Sequence, residues 1–192
     1  MQDMSIEERI SGLNTQGLEF PVEDDRDNFD IAGPKHAAAL QFSDLHFDEI
    51  NPDYYAFSAA NLANAIRHWS DKPKDRNLVG KILREAMKKV EVAFYQRGNE
   101  SHFGRGRILE EMAAASMYGA KQAGSVPILD GGMIDIRNSR SLYQQALEIP
   151  NREIVSVSFI QDKISRSYGI ESRLVLEIGL RKIEHEKDPS CH

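Results

Sequence analysis

The part of this chain best suited to chemistry is the run at residues 98–107, Gly-Asn-Glu-Ser-His-Phe-Gly-Arg-Gly-Arg. It comes just before a helix that the apolar pattern predicts over residues 107–123. The backbone N–H groups at the start of a helix attract anions, and arginine side chains can clamp a phosphate or a carboxylate. The run therefore predicts an anion-binding site formed by Gly104, Arg105, Gly106 and Arg107.

The same run does not match an established nucleotide-binding motif. It is neither Gly-x-x-x-x-Gly-Lys-Ser/Thr nor a Gly-x-Gly-x-x-Gly placed after a strand. An ordinary helix–helix connection, with glycines for the turn and arginines for solubility, is the simpler interpretation. His102 with Glu110 or Glu111 could form an acid–base pair, but nothing supplies a nucleophile or a third orienting group. We therefore assign no catalytic residue.

Two clusters contain side chains of metal-binding types, one at residues 46–49 and one at residues 25–30. The first holds a histidine and two carboxylates at a spacing that matches no zinc pattern, and the only cysteine is Cys191. In the second, Phe29 stands where an EF-hand loop has its third side-chain ligand, and Asp30 stands where it has glycine. We expect neither a metal nor a cofactor.

Charge is divided very unevenly along the sequence. Residues 1–53 hold 13 acidic and three basic side chains, a net charge of −10, whereas residues 72–107 hold ten basic and four acidic ones, a net charge of +6. Such segregation indicates that the two blocks contact each other or that each contacts a partner. The whole chain has a net charge of −6, which argues against nucleic acid as its main partner.

The clearest element is a helix over residues 76–96, in which eight apolar residues from Leu78 to Phe94 recur at helical spacing. Its other face carries three basic side chains that form a candidate binding surface for an acidic protein, namely Lys81, Arg84 and Lys88. Solvent alone, or a nucleic-acid backbone, is an alternative neighbour for this face.

The N-terminal part of the chain has a different composition. A short helix fits residues 5–13, but residues 14–35 combine two glycines and two prolines with five clustered carboxylates and few apolar side chains. We interpret residues 1–35 as an acidic, partly mobile segment, residues 36–183 as a single domain, and residues 184–192 as a frayed tail.

Beyond the helices predicted at 53–69, 76–96 and 107–123, the apolar period changes from 3.6 residues to two. Asp130-Gly131-Gly132 lies between short apolar runs, which is typical of a hairpin. A short helix ending at Leu147 follows, and alternating residues at 153–160 and 173–183 predict two strands. The sequence thus predicts an α+β fold, with an N-terminal helical block followed by a small, mainly antiparallel sheet in the order hairpin–helix–strand–strand.

Composition bounds the cellular setting. No apolar run approaches the roughly 20 residues needed to cross a bilayer. The start of the chain, Met-Gln-Asp-Met, has neither the basic beginning nor the apolar core of a signal peptide. A single cysteine forms no internal disulfide. We therefore expect a cytoplasmic protein without a membrane partner.

These observations favour a non-enzymatic protein-binding adaptor or chaperone-like subunit of a larger cytoplasmic assembly. In size and acidity the chain is similar to the small acidic chaperones of bacterial secretion systems, a similarity that involves no motif. One alternative is an enzyme or small-molecule binder that holds a phosphate-bearing ligand in the 98–107 run. A second is a nucleic-acid-associated protein that uses the basic block 72–107.

Overall fold

The computed structural model describes residues 4–97, 103–121, 126–148 and 154–187, and every regular element in these ranges is helical. The α+β prediction is therefore wrong, because no strand occurs in the described residues. A 3₁₀ turn spans Arg26–Asn28. The α-helices, in chain order, are α1 (Ile6–Leu18), α2 (Phe29–Leu45), α3 (Pro52–Trp69), α4 (Pro73–Arg97), α5 (Phe103–Lys121), α6 (Val126–Leu147) and α7 (Ile154–Lys187).

Of the strands predicted at 153–160 and 173–183, residues 154–160 and 173–183 lie within α7, and residue 153 lies outside the described residues. Ile160, Ser167 and Leu174 are buried there at seven-residue intervals, whereas Leu176 is 68% exposed. Leu174 and Leu176 would share one face of a strand, but in the helix they lie on different sides. A short aliphatic run fits the two-residue period of a strand as well as the 3.6-residue period of a helix. The residues that are buried follow the longer repeat 160–167–174, which is helical.

The predicted hairpin at Asp130-Gly131-Gly132 is replaced by the uninterrupted helix α6. Each glycine inside a helix costs about 1 kcal/mol relative to alanine. Packing of α6 against α7 offsets this cost, with α6 residues buried at alternating three- and four-residue steps. These residues are Ile136, Ser139, Tyr143 and Ala146. The packing of α6 against α7 thus outweighs the local preference of Asp130-Gly131-Gly132 for a turn.

The chain forms two compact units, with the division after Glu111 inside α5. The first unit contains α1 to α4 and the start of α5, and the second contains the remainder of α5 with α6 and α7. The domain predicted over 36–183 spans parts of both units, and its boundary at residue 35 falls inside α2. Helix α7 continues to Lys187, into the segment that we interpreted as a tail.

The centre of the first unit is the alanine-rich helix α3, which packs against α1, α2 and α4. Asn51 caps its start, since the Asn51 side chain accepts a hydrogen bond from the Asp53 amide and Pro52 occupies the first turn. Small side chains let neighbouring backbones approach closely. Those of α3 with no exposed surface are Ala56, Ser58, Ala59, Ala60 and Ala63.

The acidic N-terminal segment is folded onto the end of α3 in this structure. Val22 is buried with Ala32 and Ala65, and the ring of Phe29 stacks on Trp69 with centroids 4.3 Å apart. An ion pair of Arg26 with Asp71 at 3.0 Å joins the same regions, and Glu23 Oε2 lies 4.0 Å from Nε2 of His68, whose pKa is lowered by burial. These contacts place residues 22–29 against the end of α3 and against Asp71 just beyond it. The basic residues Lys81, Arg84 and Lys88 of α4 take no part in them.

Candidate functional site

A groove of about 720 Å³ runs between α1 and α2 on the surface of the first unit. The two helices are antiparallel, because Met4 and Leu45 line the same groove whereas Lys35 Nζ donates to Gln16 Oε1 at 2.9 Å further along. The lining residues are Met4, Arg9, Gly12, Leu13, Gln16, Ala38, Gln41, Phe42, Asp44 and Leu45.

Gly12 leaves open space in the wall of this groove. A Cβ atom at residue 12 would find nothing within 4 Å, although the residue lies in the middle of α1. Glycine at such a position destabilises a helix by about 0.5–1 kcal/mol relative to alanine, and here no close neighbour requires it. The glycine therefore widens the groove at the expense of helix stability.

Large apolar side chains are exposed at the mouth of the groove. Met4 is 64% exposed and Leu45 is 76% exposed, which is more than core packing would leave. The Arg9 Cζ atom lies over the Phe42 ring, 4.6 Å from its centroid, so the charge of Arg9 has a cation–π partner in the groove wall. The groove can therefore accept an apolar segment at little cost in desolvated charge.

A buried polar network fixes the helices that form the groove. Asn14 Nδ2 donates to Ser58 Oγ at 2.8 Å, and Asn14 Oδ1 accepts from Asn61 Nδ2 at 3.4 Å. His36 Nδ1 lies 3.3 Å from the same oxygen and donates to it, since a carbonyl oxygen can only accept. Burial lowers the pKa of His36 to about 4, so the ring is neutral at physiological pH. These bonds connect α1, α2 and α3 and make the groove wall rigid.

The three predicted basic residues lie on the exposed side of α4. Lys81 Nζ is 3.9 Å from Glu85 Oε1, and both side chains are about two-thirds exposed, at 67% and 65%. Arg84 and Lys88 are exposed as well. The structure therefore presents Lys81, Arg84 and Lys88 together on one helix face, as their spacing predicts, and partner binding by them stays a prediction.

The neighbouring Lys89 takes part in the contact between the acidic and basic blocks. Its Nζ atom forms an ion pair with Asp44 and lies 4.3 Å from the centroid of the Phe47 ring. Tyr55 is packed edge-on against Phe47, and burial, together with the nearby carboxylates of Asp44 and Glu85, raises the pKa of Tyr55 to about 12. This cluster joins α2, α3 and α4 and is structural in character.

The predicted anion site begins α5, and protein carboxylates contact its donor groups. Gly104 N donates to Asp53 Oδ1 at 2.8 Å, while Arg105 pairs with Glu91 at 3.1 Å and Arg107 with Glu110 at 3.3 Å. A Cβ at Gly104 would lie 2.7 Å from the Ala56 Cβ atom, so close approach of α5 to α3 accounts for this glycine. Gly106 is buried in the same turn, residues 98–102 lie outside the described residues, and anion binding stays a prediction.

The other chemical candidates have structural partners. Glu111, considered above as an acid–base partner of His102, is buried, accepting from Arg67 Nε at 2.6 Å and Asn64 Nδ2 at 3.3 Å. His46 Nδ1 pairs with Glu49 at 2.9 Å. Among the described residues no group of three potential ligands could hold a metal ion. His102 lies outside them.

Sequence reasoning missed both the α1–α2 groove and the buried polar network beneath it. One local signal for the groove was present, namely Gly12 in the middle of a stretch with helical apolar spacing. The network had no such signal, since its residues Asn14, His36, Ser58 and Asn61 are brought together only by the packing of three helices.

Comparison of the chain with protein-family models, with curated proteins and with solved structures finds no match. Within the parts of the chain that the structure describes, no helix is both long enough and apolar enough to cross a membrane.

Proposed function

We propose that this chain is a non-enzymatic protein-binding adaptor or chaperone-like subunit of a larger cytoplasmic assembly, with the α1–α2 groove as its binding site. The observation that carries the proposal is the combination of an open groove with Gly12 in its wall and exposed Met4 and Leu45 at its mouth. Apolar grooves between helices are a common means of binding an amphipathic helix from a partner.

The groove supports a specific partner chemistry, an apolar helix face flanked by basic residues. Among the described residues that line it two are charged: Arg9 lies on the Phe42 ring, and Asp44 pairs with Lys89. Binding within the groove thus depends on apolar contact. Residues 1–53, which include both helices of the groove, carry a net charge of −10, and this field favours encounter with a basic segment.

A photo-crosslinking amino acid at Leu45 tests this proposal in cells. Leu18 is a matched control, because it is 61% exposed on α1 but does not line the groove. We expect one protein to be crosslinked from residue 45 and not from residue 18. The variant Gly12→Phe fills the groove from its wall and should abolish this product while leaving the thermal unfolding of the chain cooperative.

A purified peptide that contains the crosslinked segment then provides a direct measurement. Fluorescence anisotropy should give saturable binding to the wild-type chain and at least about tenfold weaker binding to Gly12→Phe, as expected when an interface is blocked at its centre. Equal crosslinking from residues 45 and 18, or peptide affinity unchanged by Gly12→Phe, would contradict the proposed site.

A further inference from the structure

Helix α4 has a second stripe of residues that its own unit does not cover. The buried side of the helix contains Val79, Leu83, Ala86, Val90 and Ala93. The other stripe recurs with steps of three and four residues and is exposed along its whole length, at Leu78, Lys81, Glu85, Lys88, Val92 and Tyr95. This spacing is that of a coiled-coil seam.

The apolar members of the exposed stripe are unusually accessible for a helix of 25 residues in a globular unit. Tyr95 is 92% exposed, Val92 is 48% exposed and Leu78 is 44% exposed. An apolar residue thus stands at one end of the stripe and two stand at the other, with charged residues between them. This arrangement suits a partner helix with the same pattern in reverse.

We infer that α4 pairs with α4 of a second copy of this chain, antiparallel and about a two-fold axis. Residue numbers in facing positions then add to the same total, so Leu78 faces Tyr95 of the second copy and Lys81 faces its Val92. In the central layer Glu85 faces Lys88 of the second copy, and the symmetry forms this ion pair twice. The end layers join apolar side chains, the central layers join opposite charges, and the layers between them set the aliphatic stem of Lys81 against Val92.

Residues on one side of the seam also pair opposite charges between the two copies. On one flank of an antiparallel pair, the residues that come immediately before Glu85 and Val92 of the two copies lie next to each other, which places Arg84 close to Glu91 of the second copy. Both are exposed, and Glu91 also pairs with Arg105 of its own chain at 3.1 Å. The two-fold pairing therefore adds two further contacts of opposite charge.

Charge also selects the antiparallel arrangement over the parallel one. A parallel pair in register would place Lys81, Glu85 and Lys88 each against its own copy, which gives three like-charge layers. The antiparallel pair has none of these. A second copy is therefore the occupant that the charges favour, and this inference is independent of the α1–α2 groove.

The size of the contact sets the expected affinity. The stripe from Leu78 to Tyr95 covers about 27 Å of helix, which is short for a permanent interface. We expect a reversible dimer that forms at roughly micromolar to hundred-micromolar concentrations of the chain. Sedimentation equilibrium over this range should show the apparent mass rising from the monomer to twice that value.

Charge exchange in the central layer tests the pairing. Glu85→Lys places lysine against Lys88 of the second copy, and Lys88→Glu places glutamate against its Glu85, so each single variant should weaken the dimer by about tenfold or more. The double variant Glu85→Lys with Lys88→Glu restores opposite charges and should dimerise like the wild type. An equimolar mixture of the two single variants should form a mixed dimer.

A matched control applies the same charge changes outside α4, with Glu19→Lys and Lys72→Glu at exposed positions, and should leave the dimer unchanged. Circular dichroism verifies that every variant remains helical. A wild-type chain that stays monomeric up to about 1 mM would overturn the inference, as would a dimer that is insensitive to both single charge reversals. Restoration by the double variant is the result that no loss of folding can imitate.

Discussion

The imidazole ring of His36 lies directly against the backbone of Gly17, and a methyl group at residue 17 would stand 2.5 Å from its Cε1 atom. This contact joins α1 to α2, and it leaves no room for a side chain at residue 17 unless the ring moves. Gly12, one and a half turns earlier in the same helix, has open space instead. Packing therefore explains the glycine at residue 17, whereas no neighbouring atom requires the glycine at residue 12.

The same substitution at these two glycines should therefore change stability in opposite directions. Gly17→Ala gains helix propensity but forces the buried His36 ring to move, and we expect a net loss of about 1–2 kcal/mol in the free energy of unfolding. Gly12→Ala meets no neighbour and should gain about 0.5–1 kcal/mol. Urea unfolding of both variants beside the wild type measures the difference. Equal effects at the two positions would show that the ring contact is not tight.

Buried His36 should make stability fall as the pH is lowered. Its pKa is about 4 in the folded chain against 6.5 for an ordinary histidine, so below pH 6.5 the unfolded chain binds a proton that the folded chain does not. Stability should drop between about pH 6.5 and 4 by up to about 3 kcal/mol and then change no further through this group. Urea unfolding across this range gives the slope.

The variant His36→Gln should show a shallower dependence over the same interval, since glutamine does not titrate. His68 has its pKa lowered by burial and by Arg67, so His68→Gln is the natural comparison and should also reduce the slope. If His36→Gln retained the full wild-type slope, the pH dependence would have to come from other groups.

Replacing only one residue of the buried pair Arg67 and Glu111 should strongly lower the free energy of unfolding. Their side chains are only 13% and 3% exposed, so Arg67→Met leaves a carboxylate without its cation in the interior. We expect a loss of about 3–5 kcal/mol for this single change, and recovery of most of it when Glu111→Leu is added. A double-mutant cycle by urea unfolding measures the coupling. A loss that is simply additive would show that the two groups act independently.

Asp53 should act as the cap of α5 rather than leave that helix start open to an anion. Asp53→Ala removes the acceptor of the Gly104 amide and should cost about 0.5–2 kcal/mol, with a smaller loss for Asp53→Asn. Inorganic phosphate at millimolar concentration should leave the Tm of the wild-type chain unchanged. A phosphate-dependent rise in Tm that disappears in Arg105→Ala would instead favour the anion site predicted from the glycine-rich run.

Sequence patterns predicted the helices of the first unit well where an apolar stripe was long and continuous. The helix predicted over 76–96 is observed at Pro73–Arg97, because a stripe of that length fits only one period. The pattern failed where aliphatic residues were dense, as at Leu174 and Leu176, since each short window fits a strand as well as a helix. The helix forms at these residues because it packs against α6, which no short window of sequence shows.

The candidate site was predicted less well, for a physical reason. The groove exists because α1 lies against α2 in one particular rotation, and no local pattern states which face of Leu13 or Phe42 remains uncovered. The exposed basic residues of α4 were foreseeable, since charged positions on a helix with one clear apolar face must lie on its outside. The function of these basic residues depends on the partner that binds them.

The stacking of Phe29 on Trp69 makes the fluorescence of the chain informative about one contact. Trp69 is the only tryptophan, and it is 40% exposed. Phe29, which stacks on it, begins α2 immediately after the 3₁₀ turn Arg26–Asn28 of the acidic segment. Release of that turn from α3 would uncover the indole to water and shift its emission to longer wavelength. The protein therefore contains a label-free optical reporter of the docking of its own acidic segment.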